Sequence, residues 1–191
     1  MTETARAKRA LRKHMLQARG AVDATRRDAW SRAAAAHLLA HPTYAAAATV
    51  MAFASMGAEC NTWPLLARIL ADGKRLLLPR CRPRAAGFDA VAVADLDADL
   101  VPGPLPGMRD PAPHLPVHAP PPDLVIVPGL AFDRAHRRLG YGKGMYDAFL
   151  THHAPKAVTV GLGFALQLVD RVPTAAHDVP LTHVLTEQGF C

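Results

Sequence analysis

The sequence predicts an α/β domain built around a mainly parallel sheet. Residues 48–78 have the pattern of strand, helix and strand, and such a unit joins two parallel strands through a right-handed crossover. Residues 124–127 (LVIV) form an apolar run with the β-branched content of a strand buried on both faces. The chain of 191 residues is long enough for one sizeable core, so we expect a single domain over residues 1–191.

The composition is that of a globular protein with an anionic ligand. Half of the residues are hydrophobic, a fifth are charged, and the formal net charge is +6. Because only 6% of the residues are aromatic and the basic residues are scattered, a small phosphorylated or polycarboxylate ligand fits better than nucleic acid. The three cysteines lack metal-binding spacing, and no segment has the pattern of a signal peptide or a transmembrane helix. We therefore expect a cytoplasmic protein with reduced thiols and no membrane partner.

The first two predicted elements are helices. Residues 3–19 place their apolar side chains on one side at helical spacing. Lys8 and Arg12 stand four residues apart on one face, where the two side chains could grip a single anion; a solvated basic face is the alternative. Asp23 is placed to cap a second helix, which ends before Pro42.

The strand–helix–strand unit follows these helices. Residues 48–54 form the first strand candidate, Pro64 lies in the first turn of a helix, and residues 75–78 resume as a strand. Ligands of parallel sheets bind at the carboxyl ends of the strands, which is where the loop of residues 55–62 would lie. Glu59 in that loop is our candidate binding residue, and an exposed loop acid or a helix cap is the alternative.

The chain is less regular between residues 88 and 122. Residues 88–93 predict another strand, and the three alternating aspartates after it fit a solvated turn better than a calcium loop, which requires a central glycine and a terminal glutamate. Residues 101–122 are rich in proline and glycine, so they can form neither a regular helix nor a central strand. We interpret this segment as an ordered excursion over the surface, with a functional lid as the alternative.

The most informative stretch follows the strand at residues 124–127. Its loop interleaves Arg138 and Lys143 with three glycines and leads into a predicted helix at residues 145–152. Glycines let backbone N–H groups approach an anion, a helix N-terminus adds partial positive charge, and basic side chains supply full charges. Asp147 adds a carboxylate oxygen of the kind that Mg²⁺ bridging phosphates prefers. The pattern favours a polyphosphate site over a basic surface turn, but it matches neither common nucleotide-loop motif.

The remaining chain carries fewer signals. Residues 157–163 predict a further strand, and residues 164–169 fit either a strand or a short helix near the ligand. His177 next to Asp178 fits acid–base chemistry or a structural hydrogen bond, and the sequence leaves both open.

Two motifs of the glycine-rich stretch resemble the 5-formyltetrahydrofolate cyclo-ligase family, also called 5,10-methenyltetrahydrofolate synthetases. The segments PGLAFD at residues 128–133 and RLGYGKGMYDAFL at residues 138–150 are similar to the family signature, with Met145 in place of an aromatic residue. The segment KRALR at residues 8–12 resembles the K-x-x-x-R pattern of the family's first helix. The resemblance extends over nearly the whole chain.

Weaker similarities lie in three other segments. Residues 55–62 (SMGAECNT) resemble an S-M-x-x-E-[IV]-x-T-like segment of the family, with Cys60 in place of an aliphatic residue. Residues 172–187 resemble the V-P-x-x-x-H-D ending of the family, with Thr182 in place of a second aspartate. Residues 104–111 are weakly similar to a family segment near the folate that leads to G-[IV]-x-E-P.

The resemblance implies a three-layer α/β/α sandwich with a mainly parallel sheet and a site for two ligands. The residues implied to act in catalysis are Lys143, Arg138 and Tyr146. The residues implied to hold Mg²⁺ are Asp147 and Asp178. The residues implied to bind the folate are Met56, Glu59 and Tyr141. Glu59 would accept hydrogen bonds from the amino-pyrimidinone edge of the pterin. The residues implied to bind ATP are Lys8, Arg12, Arg138, Leu139, Gly140, Tyr141, Gly142, Lys143, Gly144, Met145 and Tyr146.

The implied reaction is the ATP- and Mg²⁺-dependent cyclisation of 5-formyltetrahydrofolate to 5,10-methenyltetrahydrofolate. It releases ADP and phosphate through a phosphorylated formyl intermediate, and such transfer needs positioning and charge neutralisation more than a protein nucleophile. We expect a monomer that takes 5-formyltetrahydrofolate or its polyglutamylated form and has no nucleic-acid partner. Lys143→Ala or Arg138→Ala is expected to abolish turnover and to leave the thermal unfolding of the free protein nearly unchanged.

Two other classes of function remain open. A repurposed or non-catalytic relative would keep the nucleotide loop and bind another ligand, and the changes at Met145 and Thr182 would support that alternative. A nucleic-acid-binding module that uses the basic first helix is the second alternative. The few aromatic residues and the lack of an RNA-recognition motif argue against it.

Overall fold

The computed structural model describes residues 2–82, 87–118 and 120–191, and its centre is a seven-stranded sheet. The strands are β1 (Thr49–Met51), β2 (Arg75–Cys81), β3 (Phe88–Val93), β4 (Leu100–Pro102), β5 (Arg109–Pro111), β6 (Leu124–Pro128), β7 (Ala131–Phe132), β8 (Arg138–Leu139), β9 (Val158–Leu162), β10 (His183–Thr186) and β11 (Gly189–Phe190). The helices are α1 (Glu3–Gly20), α2 (Ala24–Leu39), α3 (Pro42–Ala46), α4 (Trp63–Ala71) and α5 (Met145–His152), with a 3₁₀ turn at Ala165–Gln167. No helix in the described part of the chain combines the length and the apolar character that crossing a membrane requires.

The sheet has the strand order β11-β10-β9-β6-β1-β2-β3. The pairs β1–β2, β1–β6, β6–β9 and β9–β10 are parallel, and only the outer strands β3 and β11 of this sheet pair antiparallel. The predicted mainly parallel sheet is therefore confirmed. Because β2 and β6 lie on opposite sides of β1, the strand order reverses there, and the loops that follow β1 and β6 border a crevice at the carboxyl edge of the sheet.

Alternate residues of the central strands fill two separate cores. Along β6, Leu124 and Ile126 face the first core, whereas Val125 and Val127 face the second. Helices α2, α3 and α4 close the first core, and α5 closes the second. The continuous apolar run of β6 follows from this double burial. The arrangement gives three layers and confirms the predicted α/β/α sandwich.

Helix α1 lies at the carboxyl edge of the sheet. Its residue Met15 packs against Leu130 and Leu139 in a third, smaller core with the loop after β6. The helix is capped by Thr2, whose hydroxyl accepts a hydrogen bond from the Ala5 N–H at 3.2 Å. This packing brings the N-terminal helix to the loop that carries the glycines.

The proline-rich segment contains structure that the sequence pattern does not show. Strands β4 and β5, which span the start of residues 101–122, form a separate two-stranded ribbon. Among the described residues of this segment none belongs to a strand of the central sheet, as expected. The acidic turn before this ribbon is also as expected, because Asp95 and Asp99 accept hydrogen bonds from backbone N–H groups of the turn. Residues 164–169, for which the sequence left a strand or a short helix open, contain the 3₁₀ turn.

Candidate functional site

The loop after β6 is anchored before it reaches its glycines. The buried carboxylate of Asp133 accepts hydrogen bonds from the backbone N–H groups of Ala135 and Val172, both at 2.9 Å. The buried amide of Gln167 donates to a backbone carbonyl of the same loop at 2.8 Å. Side chains that satisfy the backbone of an irregular segment define its path. Asp133 and Gln167 therefore fix the chain that leads into the glycine-rich loop, residues 140–144.

Helix α1 contributes two cations to the candidate site, one at the glycine-rich loop and one at Asp178. Arg12 Nε donates a hydrogen bond to the Gly140 carbonyl at 2.9 Å. A Cβ atom at Gly142 would lie 3.3 Å from the guanidinium carbon of Arg12, and Gly142 has a φ of +104°, which residues with side chains rarely adopt. Lys8 Nζ lies 2.5 Å from Asp178 Oδ2. The first helix, the glycine-rich loop and the chain before β10 thus form one surface.

Arg138 and Asp147 form a mostly buried ion pair next to the loop. Arg138 Nη2 lies 2.9 Å from Asp147 Oδ2, and the Arg138 guanidinium lies 5.7 Å from the centroid of the Tyr146 ring, which packs on Phe88. Arg138 Nε and the Tyr146 hydroxyl are buried and have no hydrogen-bond partner in the described part of the chain. Burial raises the pKa of Tyr146, so its hydroxyl stays protonated and can donate. Two such donors fit the oxygens of an anionic ligand such as ATP.

Asp147 and Asp178 are brought together by one backbone segment. Asp147 Oδ1 accepts a hydrogen bond at 3.2 Å from the N–H of Val179, the residue after Asp178. Burial alone would raise the pKa of Asp178, but hydrogen bonds from Lys8 and the Ala175 N–H hold it below its ordinary value of 3.8. Among the described residues, no three His, Cys, Asp or Glu side chains cluster as metal ligands. Two carboxylates still fit Mg²⁺, which commonly completes its coordination with phosphates and waters.

The other residues predicted to bind ATP differ in exposure. Lys143 is exposed, and it lies near enough to Cys81 to oppose the burial and the Asp110 charge that raise the pKa of that thiol. Met145, where the resemblance implies an aromatic residue, is partly buried and packs against the second core. Leu139 is 1% exposed and belongs to the small core under α1. Its side chain is therefore not available to a nucleotide.

The residues predicted to bind the folate meet in a chain of hydrogen bonds. The Tyr141 hydroxyl donates to Glu59 Oε1 at 2.7 Å and accepts from Arg19 Nη2 at 2.7 Å. Glu59 Oε2 accepts the Met56 N–H at 3.0 Å. Burial of the hydroxyl and the nearby Glu59 raise the pKa of Tyr141 to about 12, so this hydroxyl remains a donor at neutral pH. The loops after β1 and β6 are joined across the crevice by these contacts.

A cavity of about 100 Å³ lies next to this chain of hydrogen bonds. Met56 and Glu59 line it, together with apolar residues such as Met108 and one further carboxylate, Asp110. Apolar walls with a few polar groups are typical of small-molecule sites and suit a flat heterocycle with N–H donors. Tyr141 is not one of the lining residues, and its hydrogen bond to Glu59 links it to the cavity wall.

Arg19 is a site residue that was not identified from the sequence. It is only 5% exposed, and its hydrogen bond to Tyr141 joins the end of α1 to the glycine-rich loop. Arg19 follows Arg12 by seven residues, and this spacing of about two turns was the signal that places both on one face. Thr182 has structural contacts: its hydroxyl lies 3.2 Å from that of Thr159, and the two residues join β9 to the chain before β10.

Comparisons with known proteins agree with the resemblance. Residues 4–187 match the model of the 5-formyltetrahydrofolate cyclo-ligase family. A 5-formyltetrahydrofolate cyclo-ligase of Mycolicibacterium smegmatis is 38% identical over 144 residues, which are 72% of this chain and 73% of the relative. That of Escherichia coli K12 is 32% identical over 175 residues, 89% of this chain and 94% of the relative. The NMR structure of Aquifex aeolicus 5,10-methenyltetrahydrofolate synthetase superposes with a TM-score of 0.83 at 29% identity, covering 96% of this chain and 91% of that one.

The similarity includes the whole candidate site. All of the predicted site residues, from Lys8 to Asp178, lie inside the matched range of residues 4–187. Sequence and fold therefore agree along the length of the chain, and the chain belongs to the 5-formyltetrahydrofolate cyclo-ligase family.

Proposed function

We propose that this enzyme performs the ATP- and Mg²⁺-dependent cyclisation of 5-formyltetrahydrofolate to 5,10-methenyltetrahydrofolate, with release of ADP and phosphate. The observation that carries the proposal is the position of two cations of α1, Arg12 against the glycine-rich loop and Lys8 against Asp178. Both lie on the side of the crevice that faces Glu59 through Tyr141. One side of the crevice has the cations and the backbone for a triphosphate. The other side has a carboxylate and apolar walls for a pterin. Membership of the family supports the folate substrate.

Two cations of the nucleotide side are paired with carboxylates in the free protein. Lys8 is paired with Asp178, and Arg138 is paired with Asp147. Phosphate oxygens would take over the two cations, and Mg²⁺ would take over the two carboxylates, so binding exchanges partners and leaves no charge uncompensated. The buried Nε of Arg138 and the hydroxyl of Tyr146 would gain acceptors in the same step.

The chemistry requires two substrates held in line and little else from the protein. Bound ATP supplies the phosphoryl group that turns the formyl oxygen into a leaving group, so that N10 of the folate can attack the formyl carbon as phosphate departs. The side chains orient both substrates and neutralise the developing charge. Lys143 is exposed at the loop and has no ion-pair partner in the described part of the chain, which leaves it available for the transferred phosphoryl group.

Glu59 retains the capacity to bind the pterin while it holds the two loops. Its carboxylate accepts the Met56 N–H and the Tyr141 hydroxyl, one on each oxygen. A carboxylate has about four lone-pair sites, so two further N–H groups can be accepted. The adjacent N–H donors of the amino-pyrimidinone edge match this remaining capacity.

The test mixes the protein with 5-formyltetrahydrofolate, ATP and Mg²⁺ and follows the methenyl product by its absorbance. We expect product only when ATP and Mg²⁺ are both present, with ADP released in an equal amount. Product formation without ATP, or no product under the complete conditions, would contradict the proposal. Binding of an unrelated ligand by a protein that shows no turnover would favour the repurposed relative instead.

A further inference from the structure

Asp110 is a buried carboxylate whose two oxygens differ in their contacts. It is 7% exposed, its Oδ2 accepts a hydrogen bond from the Cys81 N–H at 3.3 Å, and its Oδ1 has no hydrogen-bond partner in the described part of the chain. Burying a carboxylate oxygen without a partner lowers the stability of the folded state. Asp110 also lines the cavity that contains Glu59, so a ligand in that cavity is the natural partner for Oδ1.

The surrounding structure fixes the position of this carboxylate. Asp110 lies on β5, which pairs with β4 in the ribbon beside the main sheet. The Arg80 side chain on β2 donates to the backbone carbonyls of Ala112 at 3.0 Å and Leu115 at 2.8 Å, in the chain that follows β5. Arg109 donates to the Leu100 carbonyl across the ribbon at 2.9 Å. An acceptor held on paired strands by several hydrogen bonds is suited to reading one donor of a ligand.

The pterin ring of a folate presents N–H donors on two opposite edges. The N3–H and one hydrogen of the 2-amino group lie side by side on one edge and suit the two oxygens of Glu59. The N8–H lies on the other edge next to N1, an acceptor that separates this donor from the second hydrogen of the 2-amino group. A carboxylate with a single free oxygen suits this single donor, because a second free oxygen would face the N1 lone pair.

We propose that Asp110 Oδ1 accepts the N8–H of the reduced pterin and makes Asp110 a specificity-determining residue of the folate pocket. The proposal rests on the proposed function, since it needs a folate in the cavity next to Glu59. Asp110 and Glu59 then accept hydrogen bonds from opposite edges of one pterin ring. The proline-rich segment after β3 thereby takes part in substrate recognition through β5, in addition to covering the surface.

The variant test compares Asp110→Asn with Asp97→Asn, which removes the same charge from an exposed turn. The side-chain oxygen of an asparagine at position 110 can accept a hydrogen bond from either the Cys81 N–H or the ligand N–H. The NH2 group of the asparagine then faces the remaining N–H, and two donors cannot form a hydrogen bond. We expect the KM for 5-formyltetrahydrofolate to rise about tenfold in Asp110→Asn, with the KM for ATP within about twofold of wild type. Asp97→Asn should match wild type in both constants.

Thermal unfolding separates recognition from a structural role. Without ligand, Asp110→Asn should unfold at the same or a higher temperature than wild type, because a buried oxygen without a partner is no longer charged. The stabilisation by 5-formyltetrahydrofolate should shrink, whereas that by Mg-ATP should persist. Lower stability without ligand, together with an unchanged folate shift, would overturn the proposal.

A ligand-side test needs no variant. A reduced folate whose N8 is replaced by carbon should bind wild type about tenfold more weakly than 5-formyltetrahydrofolate, and Asp110→Asn should bind both about equally, by calorimetry. Equal affinity of wild type for both ligands would overturn the role of Asp110 even if the variant fails to fold. If wild type neither turns over nor binds the folate, the proposed function itself fails. If wild type turns over and Asp110→Asn behaves like it, only the role of Asp110 fails.

Discussion

Lys143 combines an exposed position with a central place in the proposed reaction. Lys143→Ala should lower kcat by about 100-fold or more, because it removes a charge that acts on the transferred phosphoryl group. The thermal unfolding temperature should change by no more than about 1 °C, since surface substitutions away from special features have small effects. Lys156→Ala, at another exposed position, is the control and should keep wild-type turnover. Full activity of Lys143→Ala in the methenyl assay would remove Lys143 from the site.

Arg138 differs from Lys143 because it is buried. The expectation from sequence that Arg138→Ala spares stability is not supported by its position: the side chain is 5% exposed and paired with Asp147. Removing it leaves the Asp147 charge without its partner, so the free energy of unfolding should fall by about 3 kcal/mol, measured by urea unfolding, along with the loss of turnover. Adding Asp147→Asn should restore part of the stability and none of the turnover. Additive losses in the double variant would show that the pair does not interact.

Asp178 makes the free energy of unfolding depend on pH. Its pKa is below the ordinary value of 3.8 in the folded state, so its contact with Lys8 stabilises the fold above about pH 4 and is lost as the pH falls through the folded pKa. Asp178→Asn should therefore lower the free energy of unfolding at pH 7, and its difference from wild type should shrink below pH 3.8. Urea unfolding of both proteins at several pH values measures this. A difference that does not vary with pH would contradict the role of the Lys8–Asp178 contact.

The glycine-rich loop depends on two different properties of its glycines. Gly142 and Gly144 both have positive φ angles, +104° and +63°, but only Gly142 would also place a Cβ against Arg12, at 3.3 Å. Gly144→Ala should cost about 1 kcal/mol of stability through backbone strain alone. Gly142→Ala should in addition displace Arg12 and raise the KM for ATP by about tenfold or more.

A third glycine provides the control for this series. Gly20 ends α1, and a Cβ added there would meet nothing within 4 Å, so Gly20→Ala should leave the KM for ATP unchanged and stabilise the helix by up to about 1 kcal/mol. The three variants are compared by urea unfolding and by the methenyl assay. Equal KM values for ATP in Gly142→Ala and Gly144→Ala would show that the contact of residue 142 with Arg12 does not affect ATP binding.

Elements with a strong local pattern were predictable from the sequence. Helix α5 and strand β3 have the predicted bounds, because an amphipathic or alternating run contains its own signal. The ribbon β7–β8 and the strand β11 were not predicted, since two residues per strand carry no periodicity and their partners determine them. Strand β1 is shorter than predicted because the apolar residues after it continue into the core as irregular chain.

The candidate site shows the same limit at the level of contacts. Residue types and motifs identified the cations of the first helix, the glycine-rich loop and the carboxylates. The pairing of Lys8 with Asp178 spans 170 residues, and no local pattern encodes it. Asp110 and Arg19 were identified only from the structure. Asp110 has a buried oxygen with no hydrogen-bond partner among the described residues, and Arg19 joins α1 to Tyr141. The structure therefore adds contacts between residues far apart in the sequence, whereas most of the residue types were identifiable from the sequence.

The whole molecule is closed around the site by contacts between distant parts of the chain. Helix α1 contacts the glycine-rich loop through Arg12 and the segment before β10 through Lys8. Arg19 and Tyr141 extend this connection to Glu59, at the carboxyl end of β1. A ligand bound as proposed at the crevice would therefore contact helix α1, the loop after β6 and the chain before β10 together. Stability of the free and the bound protein should differ accordingly.

Mg²⁺ should decide how strongly ATP stabilises the whole molecule. If ATP takes Lys8 and Arg138 from their partners, Asp178 and Asp147 are left beside the phosphates, and only a divalent cation compensates that charge. Saturating Mg-ATP, at about 100 times its Kd, should stabilise the fold by about 2.7 kcal/mol, and ATP with a chelator by much less. Thermal unfolding with Mg-ATP, with ATP and chelator, and with Mg²⁺ alone measures this. In Asp178→Asn the shift by metal-free ATP should exceed that of wild type, because one repelling carboxylate is gone. Equal shifts of wild type with and without Mg²⁺ would show that the two carboxylates do not serve a metal bound with the nucleotide.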